Sequence, residues 1–227
     1  MGYYSHKNAM IKRLIFDIDD TLIPWKNEYE KVVDDILEEI QYPHIKELYI
    51  DINNIVYEYE KDRKYFDKKE MVNFINKNLN LNLPENFVDL WNKKAPYCVP
   101  QKMEKEDYET LEYLCHKYEL VILTNWFKEY QIERLKKLGV LNFFKEVYGS
   151  EKYAKPYKES FIQATGKWKI KECAMIGDDF KIDIKGAKNA GIEKIVWKDN
   201  RNEKEKYTEF LKGVDIITKI SELRQIF

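Results

Sequence analysis

Past residue 104 the chain alternates short apolar runs with helical stretches, and few folds fit that pattern. "ELVILT" (119–124), "EVYG" (146–149), "ECAMIG" (172–177), "KIVW" (194–197) and "VDII" (214–217) read as strands. Helices are predicted over 104–118, from about 129 to 138 with Gly139 closing it, near 156–167, from the turn after Gly177 to Ala190, and at the carboxyl end. Strands separated by helices make a parallel sheet with right-handed crossovers. An earlier apolar run, residues 12–17, is a further buried strand that must join this sheet. Between the two, residues 25–99 carry no strand signal. They show helix spacing instead, through Val32, Val33, Ile36, Leu37 and Ile40, then Ile45, Leu48, Ile52, Ile55, Val56 and Tyr59. A third helix is marked by Met71, Phe74, Ile75 and Leu79, and a fourth starts at Pro84 and runs through Phe87, Val88 and Trp91. The expected class is α/β: a Rossmann-like parallel-sheet core flanked by helices (10–24 and 100–227), with an inserted four-helix domain (25–99).

Composition narrows the function. The 227 residues are 44% hydrophobic, enough for a real core plus an insertion. Lys and Arg (39) nearly cancel Asp and Glu (40), so nothing draws the chain to nucleic acid or an anionic membrane. No apolar run approaches the ~20 residues that span a bilayer. Cys98, Cys115 and Cys173 form no CxxC and read as free thiols of a reducing, cytoplasmic compartment. His6, His44 and His116 make no zinc-like cluster. The leading "MGYYSHKNA" lacks a signal-peptide apolar stretch; Met10 reads as a natural start, with residues 1–9 an appended or disordered lead. A monomer and a homodimer are both compatible with the chain.

Ligands of an open parallel sheet bind beyond the carboxyl ends of its strands. The polar residues expected there are distinctive. The first strand delivers Asp17, Asp19 and Asp20, "VILT" delivers Thr124 and Asn125, the next loop Lys155, and "AMIG" Asp178 and Asp179, with Asp183 shortly after. Each group alone has an ordinary explanation as a turn, a helix cap or a solvated lysine. Together they suggest one site. Clustered carboxylates call for a cation, and oxygen-only ligands suit magnesium. Asp17 and Asp19 project to one side of an extended chain, whereas Asp20 points away. A hydroxyl and an ammonium would hold phosphoryl oxygens, and one carboxylate would act as nucleophile.

"DIDDT", "LTN", "AKP" and "GDDFKID" resemble, in order, the four signature motifs of the haloacid dehalogenase superfamily, and the match covers about residues 12–197. The helical insert resembles that superfamily's alpha-helical cap domain, and "ITKISELRQIF" resembles the tail of its cytosolic phosphatases. The resemblance implies a magnesium-dependent phosphatase of a small phosphorylated metabolite, such as a nucleoside monophosphate or phosphoglycolate. Asp17 would be the nucleophile that forms an aspartyl-phosphate, and Asp19 the acid and base. Thr124, Asn125 and Lys155 would bind the phosphoryl group. Asp17, the backbone carbonyl of Asp19, and Asp178 would hold Mg2+, with Asp179 and Asp183 supporting from behind. Asp20 falls at a variable position and is expected to serve the turn. Dehalogenases lack the acid at position 19, because a departing halide needs no proton.

The alternatives are a sugar phosphomutase of the same superfamily, a phosphate-binding member without catalysis, and a response-receiver module. The last is disfavoured by the DxD spacing and the long insert. Trp126 stands where related phosphatases often carry glycine, as either a pocket wall or a packed aromatic. Trp25 and Arg201 are candidates for the rim. Most cap aromatics (Tyr49, Tyr57, Tyr59, Tyr65, Phe66, Trp91) should pack helices, with one or two facing substrate.

Overall fold

Four apolar or aliphatic-stemmed residues, Arg13–Phe16, form β1, and all four are buried. A strand covered on both faces belongs in the middle of a sheet. In the computed structural model, which describes residues 10–43, 45–61, 63–98 and 102–227, β1 takes that place. The expectations for residues 1–9, His44 and Pro100 lie outside the described residues. The other strands are β2 (Glu119–Leu123), β3 (Phe144–Tyr148), β4 (Cys173–Gly177), β5 (Lys194–Lys198) and β6 (Val214–Ile217). All pairings are parallel, in the order β3-β2-β1-β4-β5-β6. The chain is thus an α/β protein with a Rossmann-like core. Its order reverses direction at β1, which opens a crevice at the carboxyl ends of β1, β2 and β4.

Alternation along the strands separates two apolar layers. Leu14, Phe16, Leu120, Ile122, Ala174 and Ile176 face α5 (Lys105–Cys115) and α6 (Lys128–Leu138), through Leu111, Leu114 and Leu135. Ile15, Val121, Leu123, Cys173, Met175 and Trp197 face α7 (Lys158–Thr165) and α8 (Lys185–Ala190), through Phe161, Ala164, Ala187 and Ala190.

Four helices fill the stretch between β1 and α5: α1 (Glu28–Glu39), α2 (Leu48–Glu60), α3 (Lys68–Leu79) and α4 (Phe87–Cys98). Asp67 caps α3 by accepting the Glu70 N–H at 2.8 Å. The helices enclose a cluster around Tyr29, Ile36, Ile52, Tyr59, Phe87 and Trp91. That cluster also takes in Phe127 and Tyr130 of the α6 segment and Ala154. Lys68 bridges Asp89 of α4 and Glu129 of α6. No helix among the described residues is long and apolar enough to cross a membrane.

Four local expectations change. The carboxyl-terminal helix is a 3-10 segment, Ile220–Gln225. Its two buried residues, Ile220 and Leu223, are three apart, which suits three residues per turn. Pro84 does not begin α4; its carbonyl accepts the Phe87 N–H in the turn before it. Glu47 turns left-handed (φ 59°) just ahead of α2, leaving Ile45 outside the helix and exposed. The stretch after β4 begins as a π-turn, Phe180–Ile184, before α8.

Candidate active site

Asp17 follows β1 without leaving the sheet, since its N–H donates to the Ile176 carbonyl at 2.9 Å. Its carboxylate is buried and accepts from Lys155 Nζ at 2.6 Å. Lys155 Nζ donates equally to Asp183, also at 2.6 Å. Asn125 holds Lys155 by its backbone: Oδ1 accepts the Lys155 N–H at 2.8 Å and Nδ2 donates to the Lys155 carbonyl at 3.1 Å. Asp183 sits in the π-turn against Gly177, where an added Cβ would stand 2.4 Å from Asp183 Oδ2. Only glycine allows so close an approach. Asp178 accepts from Thr21 Oγ1 at 3.2 Å, and Trp197 Nε1 donates to its carbonyl at 2.7 Å. Asp179 turns away from the cluster, its Oδ1 accepting the N–H groups of Lys181 and Ile182, each at 2.8 Å.

Asp19 belongs to a second network. Arg134 Nη1 donates to it at 2.5 Å and Gln131 Nε2 at 3.0 Å. The same Gln131 nitrogen reaches Thr124 Oγ1 at 3.1 Å, and its Oε1 accepts from Arg134 at 2.9 Å. Arg134 is fully buried, with its guanidinium carbon 4.4 Å from the Tyr29 ring centre and 5.4 Å from that of Tyr130. Asp20 has the turn role expected of it. It is left-handed (φ 56°), its Oδ1 accepts the Trp25 N–H at 2.8 Å, and its carbonyl accepts from Lys198 and Asn200.

Burial pushes the Asp17 carboxyl well above the ordinary range; Lys155 pulls it back and the neighbouring acids push further. Asp178 rises to about 7, from burial first and then from Asp183 and Asp20. Burial raises Asp183 as well, against the pull of Lys155. Burial alone would lower the Lys155 ammonium, but Asp17 and Asp183 more than offset it, so the net direction is upward. One lysine does not neutralise three acids. Oxygens of Asp17, Asp178 and Asp183 lie within 4.8 Å of one another. An all-carboxylate donor set left short of positive charge fits a hard divalent cation such as magnesium.

A pH test follows. A carboxyl raised in the folded state binds its proton more tightly there than in the unfolded chain. Stability then falls as pH rises from the ordinary carboxylate range, about 4, to about 7, the Asp178 value. After EDTA treatment, the melting temperature should be lower at about pH 8 than at about pH 5. Added Mg2+ should raise it more at the higher pH; equal shifts at both would argue against the acids as its ligands.

A cavity of about 340 Å³ opens above these groups. Its floor is Asp17, Asp19, Thr124, Lys155 and Asp178; its roof is Asn53, Val56, Tyr57 and Glu60 of α2, and its walls include Trp25, Trp91 and Trp126. Trp126 fulfils both expected roles. It lines the cavity, packs 5.4 Å from Trp91, and donates to Asn92 at 2.8 Å. Its φ of 89° is the glycine-like conformation. Of the insert's aromatics, Tyr57 and Trp91 reach the cavity, Tyr59 and Phe66 are core, and Tyr65 is exposed. Arg201 stands at the rim, 3.8 Å from Asp20. Sequence reasoning missed Thr21, Gln131, Arg134 and Glu60. Thr21 lies inside the "DIDDT" motif and was findable; the others look like ordinary polar positions on helices.

Residues 11–191 match the haloacid dehalogenase-like hydrolase family, and the chain belongs to it. Its curated relatives are largely phosphatases. It is 27% identical over 201 residues to the glyceraldehyde 3-phosphate phosphatase of Methanopyrus kandleri, covering 81% of this chain and 82% of that one. It is 26% identical over 196 residues to the pyrimidine 5'-nucleotidase PynA of Streptococcus pneumoniae, again 81% and 82%. The glyceraldehyde 3-phosphate phosphatase of Methanothermobacter thermautotrophicus is 33% identical over 115 residues, 48% of this chain and 51% of that protein. That last match spans about half the length of the relative. Among solved structures, the magnesium-bound hydrolase YfnB of Bacillus subtilis superposes with a TM-score of 0.71 at 20% identity, over 96% of this chain and 98% of that one.

Proposed function

We propose that the protein is a magnesium-dependent phosphatase that hydrolyses a small phosphorylated metabolite through an aspartyl-phosphate on Asp17. Residues 25–99 would act as a cap over the core of 10–24 and 100–227, closing the site to bulk water. The observation that carries this reading is the pairing of Asp17 with Lys155 at 2.6 Å on the cavity floor, beside an Asp19 held on separate partners. Free thiols at Cys98, Cys115 and Cys173 support a cytoplasmic setting.

In the proposed cycle, Thr124, Asn125 and Lys155 position the phosphoryl group, and Lys155 offsets charge on its oxygens. Asp17 attacks phosphorus as the bond to the leaving oxygen breaks, and Asp19 gives that oxygen a proton. Asp19 then takes a proton from water, which attacks the aspartyl-phosphate and frees Asp17 and inorganic phosphate. Magnesium, when held by Asp17, Asp178 and the Asp19 carbonyl, supplies the positive charge that lets a carboxylate approach an anionic phosphate. Asp183 would keep Lys155 aligned, and Asp179 would hold the turn that carries Asp183.

The purified protein should release phosphate from para-nitrophenyl phosphate with Mg2+, stop with EDTA, and resume when Mg2+ is restored in excess. Absence of release from that substrate and from nucleotides, sugar phosphates and phosphoglycolate would overturn the reading. Conversion to an isomeric phosphate without release would mark a mutase.

A further inference from the structure

Asn53, Val56, Tyr57 and Glu60 are spaced as one face of α2, and all four line the cavity opposite the phosphoryl floor. Three of them have their needs met within the protein. Val56 is apolar and buried, Asn53 Nδ2 donates to the Tyr49 carbonyl at 2.7 Å, and the Tyr57 hydroxyl donates to Glu30 at 2.5 Å. Glu60 differs. Among the described residues its carboxyl has no hydrogen bond and no ion pair, although it is half-buried in the cavity wall. Burial and the charge of Asp19 push it up to about 8. It is also the last residue of α2, where the helix dipole disfavours an acid. Among the described residues, the two cations that line the cavity are elsewhere: Lys155 is committed to Asp17 and Asp183, and Arg201 stands beside Asp20.

A half-buried carboxyl facing a cavity becomes costly when a ligand displaces its water, unless the ligand supplies a donor, so its partner is expected to arrive with the ligand. We infer that Glu60 reads the leaving group of the substrate, accepting hydrogen bonds from the hydroxyls of an uncharged alcohol such as a sugar or nucleoside and disfavouring leaving groups that carry a carboxylate. A hydroxyl pairs with either protonation state of Glu60. A substrate carboxylate can accept only from the protonated form. Against the ionised form it meets two charges of its own sign, Glu60 and Asp19, with no cation among the described residues of the cap side lining the cavity to offset them. This selectivity rests on the phosphatase reading and narrows it, setting phosphoglycolate aside in favour of polyols and nucleosides.

The test compares kcat/KM at about pH 9, where the Glu60 carboxyl is ionised, for two groups, with para-nitrophenyl phosphate as reference. The uncharged group is glycerol 3-phosphate, ribose 5-phosphate and the nucleoside 5'-monophosphates; the carboxylate group is phosphoglycolate and 3-phosphoglycerate. The wild type should favour the best uncharged substrate over the best carboxylate one by about tenfold or more. Glu60→Gln should shrink that ratio several-fold, mainly through KM, and Glu60→Lys should invert it. Comparing two substrates in one variant cancels any general loss of folded protein. If the wild type prefers the carboxylate group, or turns over para-nitrophenyl phosphate but neither group, the inference is overturned. The same holds if both variants leave the ratio unchanged. No release from any ester, the reference included, would instead overturn the phosphatase reading itself.

Discussion

Asp17→Asn should abolish turnover, lowering kcat for every phosphate ester by about 10⁴-fold or more, because the amide cannot form the covalent intermediate. The fold should survive. Asp17 is one of three acids crowded around one lysine, and its charge is held at a cost, since burial outweighs the help from Lys155. The amide keeps the size and removes that cost, and Lys155 keeps its bond to Asp183. A metal-free melting temperature equal to or above that of the wild type should therefore accompany the lost activity. Near-native turnover would sink the nucleophile assignment. A collapse in melting temperature would show that the Asp17–Lys155 pair stabilises the fold on balance.

Arg134→Met should lower activity too, through the orientation of Asp19 rather than through the attacking group. Arg134 sits wholly inside, spends its Nη1 on Asp19 and Gln131, and leaves Nε and Nη2 without hydrogen-bond partners among the described residues. Removing one member of a buried ion pair costs about 3–5 kcal/mol when its partner is left uncompensated in the interior. Met keeps much of the packing against Tyr29 and Tyr130, and Asp19, whose side chain is 31% exposed, keeps its bond from Gln131 and reaches water, so the loss of unfolding free energy should stay below that range, at about 1–3 kcal/mol. Asp19 would lose its orienting partner, and kcat should fall by about 10²-fold, the range assigned to general acid–base catalysis. Arg134 thus acts as a positioning residue. Its signature is a drop in kcat with KM little changed and a steeper loss on alkyl phosphates than on para-nitrophenyl phosphate, whose leaving group needs less protonation. Unchanged kcat would refute this role, and a large drop in melting temperature would make Arg134 mainly structural.

The parallel core was legible because strand ends announce themselves. Apolar runs that stop at Asp17, Thr124 and Asp178 place those side chains on one rim by topology alone, and the structure brings them there with Lys155. The insert's helices were readable from their 3.6-residue period. What escaped was anything decided by how the insert packs against the core. Gln131 and Arg134 occupy α6 among five charged neighbours, Lys128, Glu129, Glu133, Lys136 and Lys137, so they read as part of a solvated face. Only the fold reveals that Tyr29 and Tyr130 close over them. Glu60 is hidden for the same reason, as one more acid on a charged helix. The helix at the carboxyl end was legible but its 3-10 type was not, because spacings of three and four are hard to tell apart over six residues.

Phe127 and Tyr130, both within the α6 segment of the sheet domain, lie in the insert's apolar cluster rather than in the sheet's own layers. A cut made at the ends of the insert would strip two large aromatic faces bare and leave α6 half-clad. The insert and the sheet domain are therefore not separable modules in the thermodynamic sense. They should melt as one cooperative unit, and the amides of α4 and α6 should exchange with solvent together. A lineage that shed this insert would have to rewrite α6 in the same step.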